Sequence, residues 1–417
     1  MDRKENTVLI VGFNTRPLAY SLYKSGYLVY VVDFFGDLDL FPYIEDGLII
    51  TKEVGSSYNL IKNNYQQFLI NCANKLLEKH PEIANLIIAS GLDDNIEDRI
   101  QLLEHIKDQN YRIKNLNNDI ENIKNARNVI DIFEFLEKNG YKTPTTKPFE
   151  NSSKSFLSIS PPLIFKKRKS SGGTNVYKIE SKEKLEFLVK TLEKDDFNPS
   201  DWLIQEYIEG IPVSCTTISN GNETRIISIN RQVIGLDFLN PTKEFMYCGN
   251  MVPGNLLPDD NRLISEISIL LANTLKLKGI NGFDFVLKHH YPYLMEINPR
   301  IPGSISASEN SMGLNLIDLH VKSFKKNNWN EIGKILDNAT YKKYATKLIY
   351  FAPTDVDIDK IEQVNNLKYI HDKTEPLKKI MRGEPICSIL FMDQSFSNSF
   401  FGALKIADNI TKILTEI

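Results

Sequence analysis

Short apolar runs alternating with polar, helix-period stretches organise the first 120 residues. Thr7–Gly12 (TVLIVG) is β-rich, apolar and closed by glycine, and it reads as a strand. Residues 17–24 start a helix that Gly26 closes. Residues 27–33 (YLVYVVD) form a second buried strand that ends in an acid, so the chain opens with the βαβ unit of a doubly wound sheet. The dinucleotide fingerprint G-x-G-x-x-G is absent, since Phe13, Asn14 and Thr15 follow Gly12; this predicts a Rossmann-like domain without a dinucleotide. Residues 86–90 (LIIAS) repeat the strand-to-loop pattern, 96–118 read as polar helix, and the Asn-rich stretch 115–125 suggests a domain boundary.

The pattern then changes. Residues 129–140 form an amphipathic helix ended by Asn139-Gly140, and Thr143-Pro144 closes that unit. Strands are predicted at 161–166, at Val176–Ile179 and at 202–208, with a Gly/Ser loop (KSSGGTN) at 169–175. Alternating segments follow at 213–219, 224–231 and 232–238, then a helix over 261–277. Residues 282–287 and 293–298 read as a hairpin that carries acids, followed by a helix at 314–323. The last ~75 residues read as mixed strands with a final helix near 403–415, a small appended unit.

Composition narrows the function classes. The 417 residues, 42% hydrophobic and 25% charged, suit two to four globular domains. No run approaches the ~20 apolar residues that span a bilayer, and the N-terminus lacks an apolar signal region, so no membrane association and a cytoplasmic location are expected. A net charge of −3 gives none of the basic surplus that drives sequence-independent nucleic-acid binding. Cys72, Cys215, Cys248 and Cys387 are scattered, which favours reduced thiols over a disulfide framework or a thiolate metal cage. His289 and His290 are adjacent and make a poor metal pair.

Three constellations carry chemistry. In the run YPYLMEINPR (291–300), Glu296, Asn298 and Arg300 are spaced two apart and project together on a strand, with Leu294 continuing their face. Hairpin pairing would set Asp284 across from Glu296. Two carboxylates and an amide oxygen suit Mg²⁺ or Mn²⁺ completed by phosphate oxygens, and Arg300 suits a phosphate or carboxylate. A solvated surface hairpin is the alternative. Second, Lys166 at a strand end precedes the loop holding Ser171, Gly172 and Gly173, a cation with free backbone N–H groups that suits phosphates, although a plain turn between strands gives the same pattern. Third, the extended segment Gln205, Glu206, Tyr207, Ile208 can present main-chain groups to a base edge, as can any edge strand.

In this order the three constellations resemble the ATP-grasp superfamily over about residues 115–323. The resemblance implies that Lys166 touches the nucleotide phosphates, that 170–174 form the Gly-rich lid, and that Gln205–Ile208 read adenine at the hinge. It implies that Asp284, Glu296 and Asn298 hold the metal and that Arg300 acts beside Lys166 in catalysis. Lys167 stands where proline is usual, Pro212 where a ribose-binding acid is usual, and neither Lys124 nor Arg127 aligns cleanly with the early phosphate-binding lysine. The segments GFNTRP from Gly12, DFFGDLD from Asp33 and RGEPIC from Arg382 resemble predicted ATP-dependent carboligases distantly related to biotin carboxylase.

The implied fold is mixed α/β and α+β: a Rossmann-like domain (1–115), a small ATP-grasp lobe with the lid (116–208), a large lobe with the metal site (209–335) and a C-terminal α+β unit (336–417). The implied reaction uses ATP and Mg²⁺ to activate a carboxylate as an acyl phosphate that an amine then attacks. The implied partners are small-molecule acid and amine substrates, with a homodimer as the expected assembly. Gly303, Ser304 and Ser306 are candidates to line the acyl-phosphate site. Arg16, at the mouth of the first sheet, suits either a substrate carboxylate or a helix cap. Another nucleophile, bicarbonate, or a non-catalytic nucleotide-binding role are the competing readings.

Overall fold

A computed structural model describes residues 5–55, 64–92, 96–109, 112–150, 159–169, 172–194, 197–375 and 379–415. Three sheets organise them. The first is parallel, ordered β3-β2-β1-β4-β5, from β1 (Thr7–Gly12), β2 (Leu28–Asp33), β3 (Asp46–Ile49), β4 (Asn85–Ile88) and β5 (Lys114–Asn115). The unbroken apolar runs follow from burial on both faces. Leu9 and Val11 pack towards the helices Tyr65–Lys79 and Ile96–Asp108. Val8 and Ile10 pack with the helix Arg16–Lys24, in a cluster that continues into Ile218, Ile280, Ile301 and Leu316. The N-terminal domain and the body behind it therefore share one core. The polar stretch 96–118 is not one helix: it ends at Asp108 and returns as the short edge strand β5.

The second sheet, ordered β6-β9-β7-β8, is antiparallel and is built from β6 (Thr146–Pro148), β7 (Leu163–Lys167), β8 (Val176–Ile179) and β9 (Trp202–Glu206), with the helix Lys182–Leu192 beside it. Its core is aromatic; Phe165 and Trp202 stack with centroids 4.6 Å apart.

The third sheet has eight strands in the order β14-β13-β10-β11-β12-β15-β17-β16. These are β10 (Ile211–Asn220), β11 (Thr224–Ile234), β12 (Tyr247–Val252), β13 (Lys278–Lys288), β14 (Tyr291–Asn298), β15 (Tyr344–Phe351), β16 (Ile370–His371) and β17 (Pro385–Asp393). The two segments expected at 224–231 and 232–238 are one strand, β11, broken off at Gly235, where a Cβ would meet the Glu244 carbonyl oxygen at 1.8 Å. The C-terminal segment, expected as an appended unit, adds its three strands to this same sheet, with the helix Phe396–Thr415 covering them. The helices Ile120–Arg127 and Val129–Lys138 pack with Phe283, Phe285 and Leu294 of β13 and β14. The Asn-rich stretch expected as a boundary is anchored: buried Asn118 donates to Asn281 Oδ1 (2.6 Å) and Pro299 O (2.9 Å) and accepts from Lys278 N–H (2.7 Å). All four cysteines are buried and unpaired. Among the described residues no helix is long and apolar enough to cross a membrane.

Candidate active site

The acid-bearing hairpin forms as its alternation predicts. β13 and β14 pair antiparallel with Asp284 opposite Glu296. His289 and His290 make the two-residue turn, both at positive φ (49° and 62°), as a tight hairpin requires. The ladder carries one irregularity: Phe285 pairs with Leu294, so Met295 is an extra residue between the paired positions. That bulge corrects one expectation. Leu294 lies in the core with Ile297 and not on the face of Glu296 and Asn298, because the inserted residue reverses the alternation.

The polar face is tightly connected. Asn298 Nδ2 donates to Asp284 Oδ2 (2.8 Å) and to Glu296 Oε1 (3.1 Å), and Gln232 Nε2 donates to Asp284 Oδ1 (3.0 Å). Burial, then the Glu296 carboxylate, push the Asp284 carboxyl up to about 7, against the pull of Arg300 and the two amides. Two carboxylates beside an amide form a hard-oxygen set that fits a divalent cation. Among the described residues no three His, Cys, Asp or Glu side chains form a cage, so such an ion would need oxygens from a ligand to complete its shell.

Cations from other elements converge on this hairpin. Arg127, at the end of its helix, sets Nη1 3.9 Å from Glu296 Oε2 and 3.4 Å from Ile297 O. Lys124, the alternative early cation, is exposed. Lys166, half-buried at the end of β7, donates to Met295 O at 3.4 Å, the carbonyl of the bulge. Burial pushes its ammonium down to about 8, with Glu296 opposing that shift and Arg127 adding to it. The small sheet thus sets its lysine over the acids of the large one.

The glycine loop lies against the large sheet, and the 205–208 segment runs on from β9. Gly172 and Gly173 are at positive φ, and a Cβ on Gly173 would meet Phe245 O at 1.8 Å, so only glycine permits the loop's close approach to the large sheet. Tyr247 N–H donates to Gly172 O (3.2 Å). Ser171 lies outside the described residues. At the hinge, buried Gln205 donates its side-chain amide to Thr146 Oγ1 (2.8 Å), and Glu206 N–H donates to Thr145 O (2.8 Å). Tyr207 lies under the Lys178 ammonium, 4.5 Å from the ring centroid, and Ile208 is buried.

Beyond Arg300 a cavity of about 240 Å³ opens between the N-terminal domain and the large sheet. Arg300, Ile301, Pro302 and Gly303 line one side, Asn14 and Asp37 another, and Lys347, Asp372 and Ser388 a third. Of the serines expected there, Ser304 faces Thr216 (3.4 Å) and Ser306 is buried; neither lines the cavity. Arg16 is neither a helix cap nor open to a substrate. Its buried guanidinium is committed to Asp372 (Nε to Oδ1, 2.8 Å) and to Asp39 (3.6 Å). Gln232, Tyr247, Asp37, Lys347 and Asp372 were not singled out from the sequence. Of these, only Asp37 stood in a noted motif, the acidic run after β2.

Residues 126–304 match the ATP-grasp domain family. An uncharacterized protein of Methanocaldococcus jannaschii is 28% identical over 400 residues, covering 94% of this chain and 90% of that one. A D-alanine–D-alanine ligase of Flavobacterium johnsoniae is 22% identical over 208 residues, 47% of this chain and 62% of that enzyme. The crystal structure of an L-amino acid ligase from Bacillus licheniformis superposes with a TM-score of 0.69 at 15% identity, covering 98% of both chains, and so shares the fold. The hairpin, the lysine above it and the glycine loop therefore lie in the stretch that matches the ATP-grasp domain family, within a chain whose whole fold is shared with that ligase.

Proposed function

We propose that this protein is an ATP-dependent ligase that activates a carboxylate as an acyl phosphate and joins it to an amine, releasing ADP and phosphate. The observation that carries the reading is the convergence of Arg127 and Lys166, from separate elements, on the Asp284–Glu296 pair, with Arg300, just past the hairpin, lining a cavity. Asp284, Glu296 and Asn298 would hold Mg²⁺ or Mn²⁺, which supplies charge neutralisation to the phosphates when bound. Gly172 and Gly173 cover the phosphates, and the hinge from Gln205 to Ile208 receives the adenine. With the Gln205 side chain and the Glu206 N–H already engaged, Ile208 offers the main-chain contact.

In the first step an oxygen of the substrate carboxylate attacks the γ-phosphorus and ADP leaves. Lys166 and Arg300 offset the charge on the group in transfer. In the second step the amine nitrogen attacks the acyl carbon, the C–N bond forms, the C–O bond to phosphate breaks, and one proton passes from the nitrogen to the leaving phosphate. The cavity beyond Arg300 holds the acid in line and keeps water from the acyl phosphate.

The test is ADP release with pooled acids and amines, and separately with bicarbonate. Release that needs both an acid and an amine supports the ligase. Release with bicarbonate alone moves the reading to a carboxylase-like reaction. ATP binding without release under any condition removes catalysis.

A further inference from the structure

Four carboxylates gather around the junction cavity, two of them, Asp37 and Asp372, in its lining, and they are not alike. Asp33 accepts from Thr15 N–H (2.7 Å), Thr15 Oγ1 (2.8 Å), Phe35 N–H (2.9 Å) and Gly36 N–H (2.7 Å), which fixes the two loops at the mouth of the first sheet. Asp39 accepts from the N–H groups of Asp372 (3.2 Å) and Lys373 (2.8 Å). Asp372 is paired with Arg16 at 2.8 Å and lies 3.9 Å from the Lys347 ammonium. Asp37 differs: it is 5% exposed, lines the cavity, and its carboxylate accepts no hydrogen bond from the described residues.

An ordinary fold leaves such a group satisfied. Burial, then the charges of Asp372, Asp33 and Asp39, push the Asp37 carboxyl well above the usual range, with Arg16 opposing the shift. Two further acceptors of cavity-lining residues, Asn14 Oδ1 and Asp372 Oδ2, also have no hydrogen-bond partner. Asp37 and Asn14 Oδ1, two acceptors without donors, complement a group that only donates, as a primary ammonium does, and Asp372 Oδ2 beside them has only the Lys347 ammonium at 3.9 Å. At about 240 Å³ the space is below the usual range for drug-sized ligands and suits one small metabolite.

Resting on the ligase reading above, we propose that Asp37 is a specificity-determining ammonium acceptor, and that the acid this protein activates is a compact amino acid lying with its ammonium at Asp37 and its carboxylate towards Arg300.

The experiment compares glycine, L-alanine, β-alanine and 4-aminobutyrate with acetate, propionate, butyrate and lactate. Thermal shift and calorimetric titration are read on the full chain with ATP and Mg²⁺, and ADP release is measured in parallel with a pooled amine. At least one amino acid is expected to bind and its des-amino counterpart to fail. Asp37→Asn is expected to lose at least tenfold in amino-acid affinity, with ATP affinity unchanged, and to gain a few degrees in Tm because it removes a buried repulsive charge. A merely structural role for Asp37 would instead lower Tm and leave the preference intact. Equal response to amino and des-amino acids, silence of every amino acid, or unchanged preference in Asp37→Asn each overturns the proposal; the last would mean that Asp37 only holds a proton. Amino-acid binding through Asp37 without ADP release under any condition sinks the ligase reading and leaves the ammonium site standing.

Discussion

The acid-bearing hairpin and the junction cavity both gather acids and bases, but they neutralise them by different routes. At the hairpin, Asp284 and Glu296 sit on adjacent strands twelve residues apart, share the Asn298 amide, and face cations brought by Arg127 and Lys166. At the cavity, Arg16 and Asp372 are 356 residues apart in sequence and meet only because the last strands join the large sheet. One site is made by local strand geometry and completed from outside by long side chains. The other is made by tertiary assembly, and its charges are buried from the start. A change at the first should therefore alter chemistry and spare the fold, whereas a change at the second should alter both.

The sharpest way to break that contrast is Glu296→Ala. Its side chain is 38% exposed and turned away from the core, so Tm should hold while ATP-dependent turnover falls roughly a hundredfold or more. Steady-state ADP release beside a melting curve checks this, and retained turnover would remove the metal role. Arg16→Ala should do the reverse. Removing one partner of a buried ion pair costs about 3–5 kcal/mol, because Asp372 is left with only the Lys347 ammonium at 3.9 Å. A chemical-denaturation series should show that loss, and Arg16→Ala combined with Asp372→Asn should recover part of it.

The same contrast explains what could be read from the sequence. The hairpin was legible because its information is local: a period of two, an acid on each strand and a short turn. Even so, the bulge at Met295 escaped, since an extra residue leaves no compositional mark, and the placement of Leu294 was reversed. Arg127 stood open beside Lys124, and only the helix orientation separates the inward arginine from the exposed lysine. The cavity was hardly legible. The βαβ pattern puts Arg16 at the mouth of the first sheet, but the partner of Arg16 lies in a β-edge segment with no motif. Lys347 and Asp372 carry no local signal at all.

A finer test concerns the cations over the hairpin. Hydrogen bonds to charged groups contribute about 1.5–3 kcal/mol, so Lys166→Ala and Arg127→Ala should each raise the KM for ATP about tenfold or more, with Lys124→Ala close to neutral. Three saturation curves decide it. If Lys124 proves the sensitive position, the phosphates lie outside the hairpin face.

The smallest expected effect lies at the seam between the two regions. Glu309 Oε1 accepts from Ser21 Oγ on the N-terminal domain (2.6 Å) and from the N–H groups of Leu316 (2.8 Å) and Ile317 (3.2 Å), so it caps one helix and ties down another. Burial raises its carboxyl to about 7 from an ordinary 4.5, and the three hydrogen bonds only moderate the shift. Between these values the folded chain keeps a proton that the unfolded chain has released, so this group's contribution is complete below about pH 4.5 and is lost as pH rises through about 7. Glu309→Gln keeps an oxygen for all three donors and removes the charge. Relative to the unsubstituted chain it should gain on the order of 1 kcal/mol more at pH 8 than at pH 5, read from paired denaturation curves. A difference of the opposite sign would show that the ionised carboxylate, through its donors, is what holds the seam.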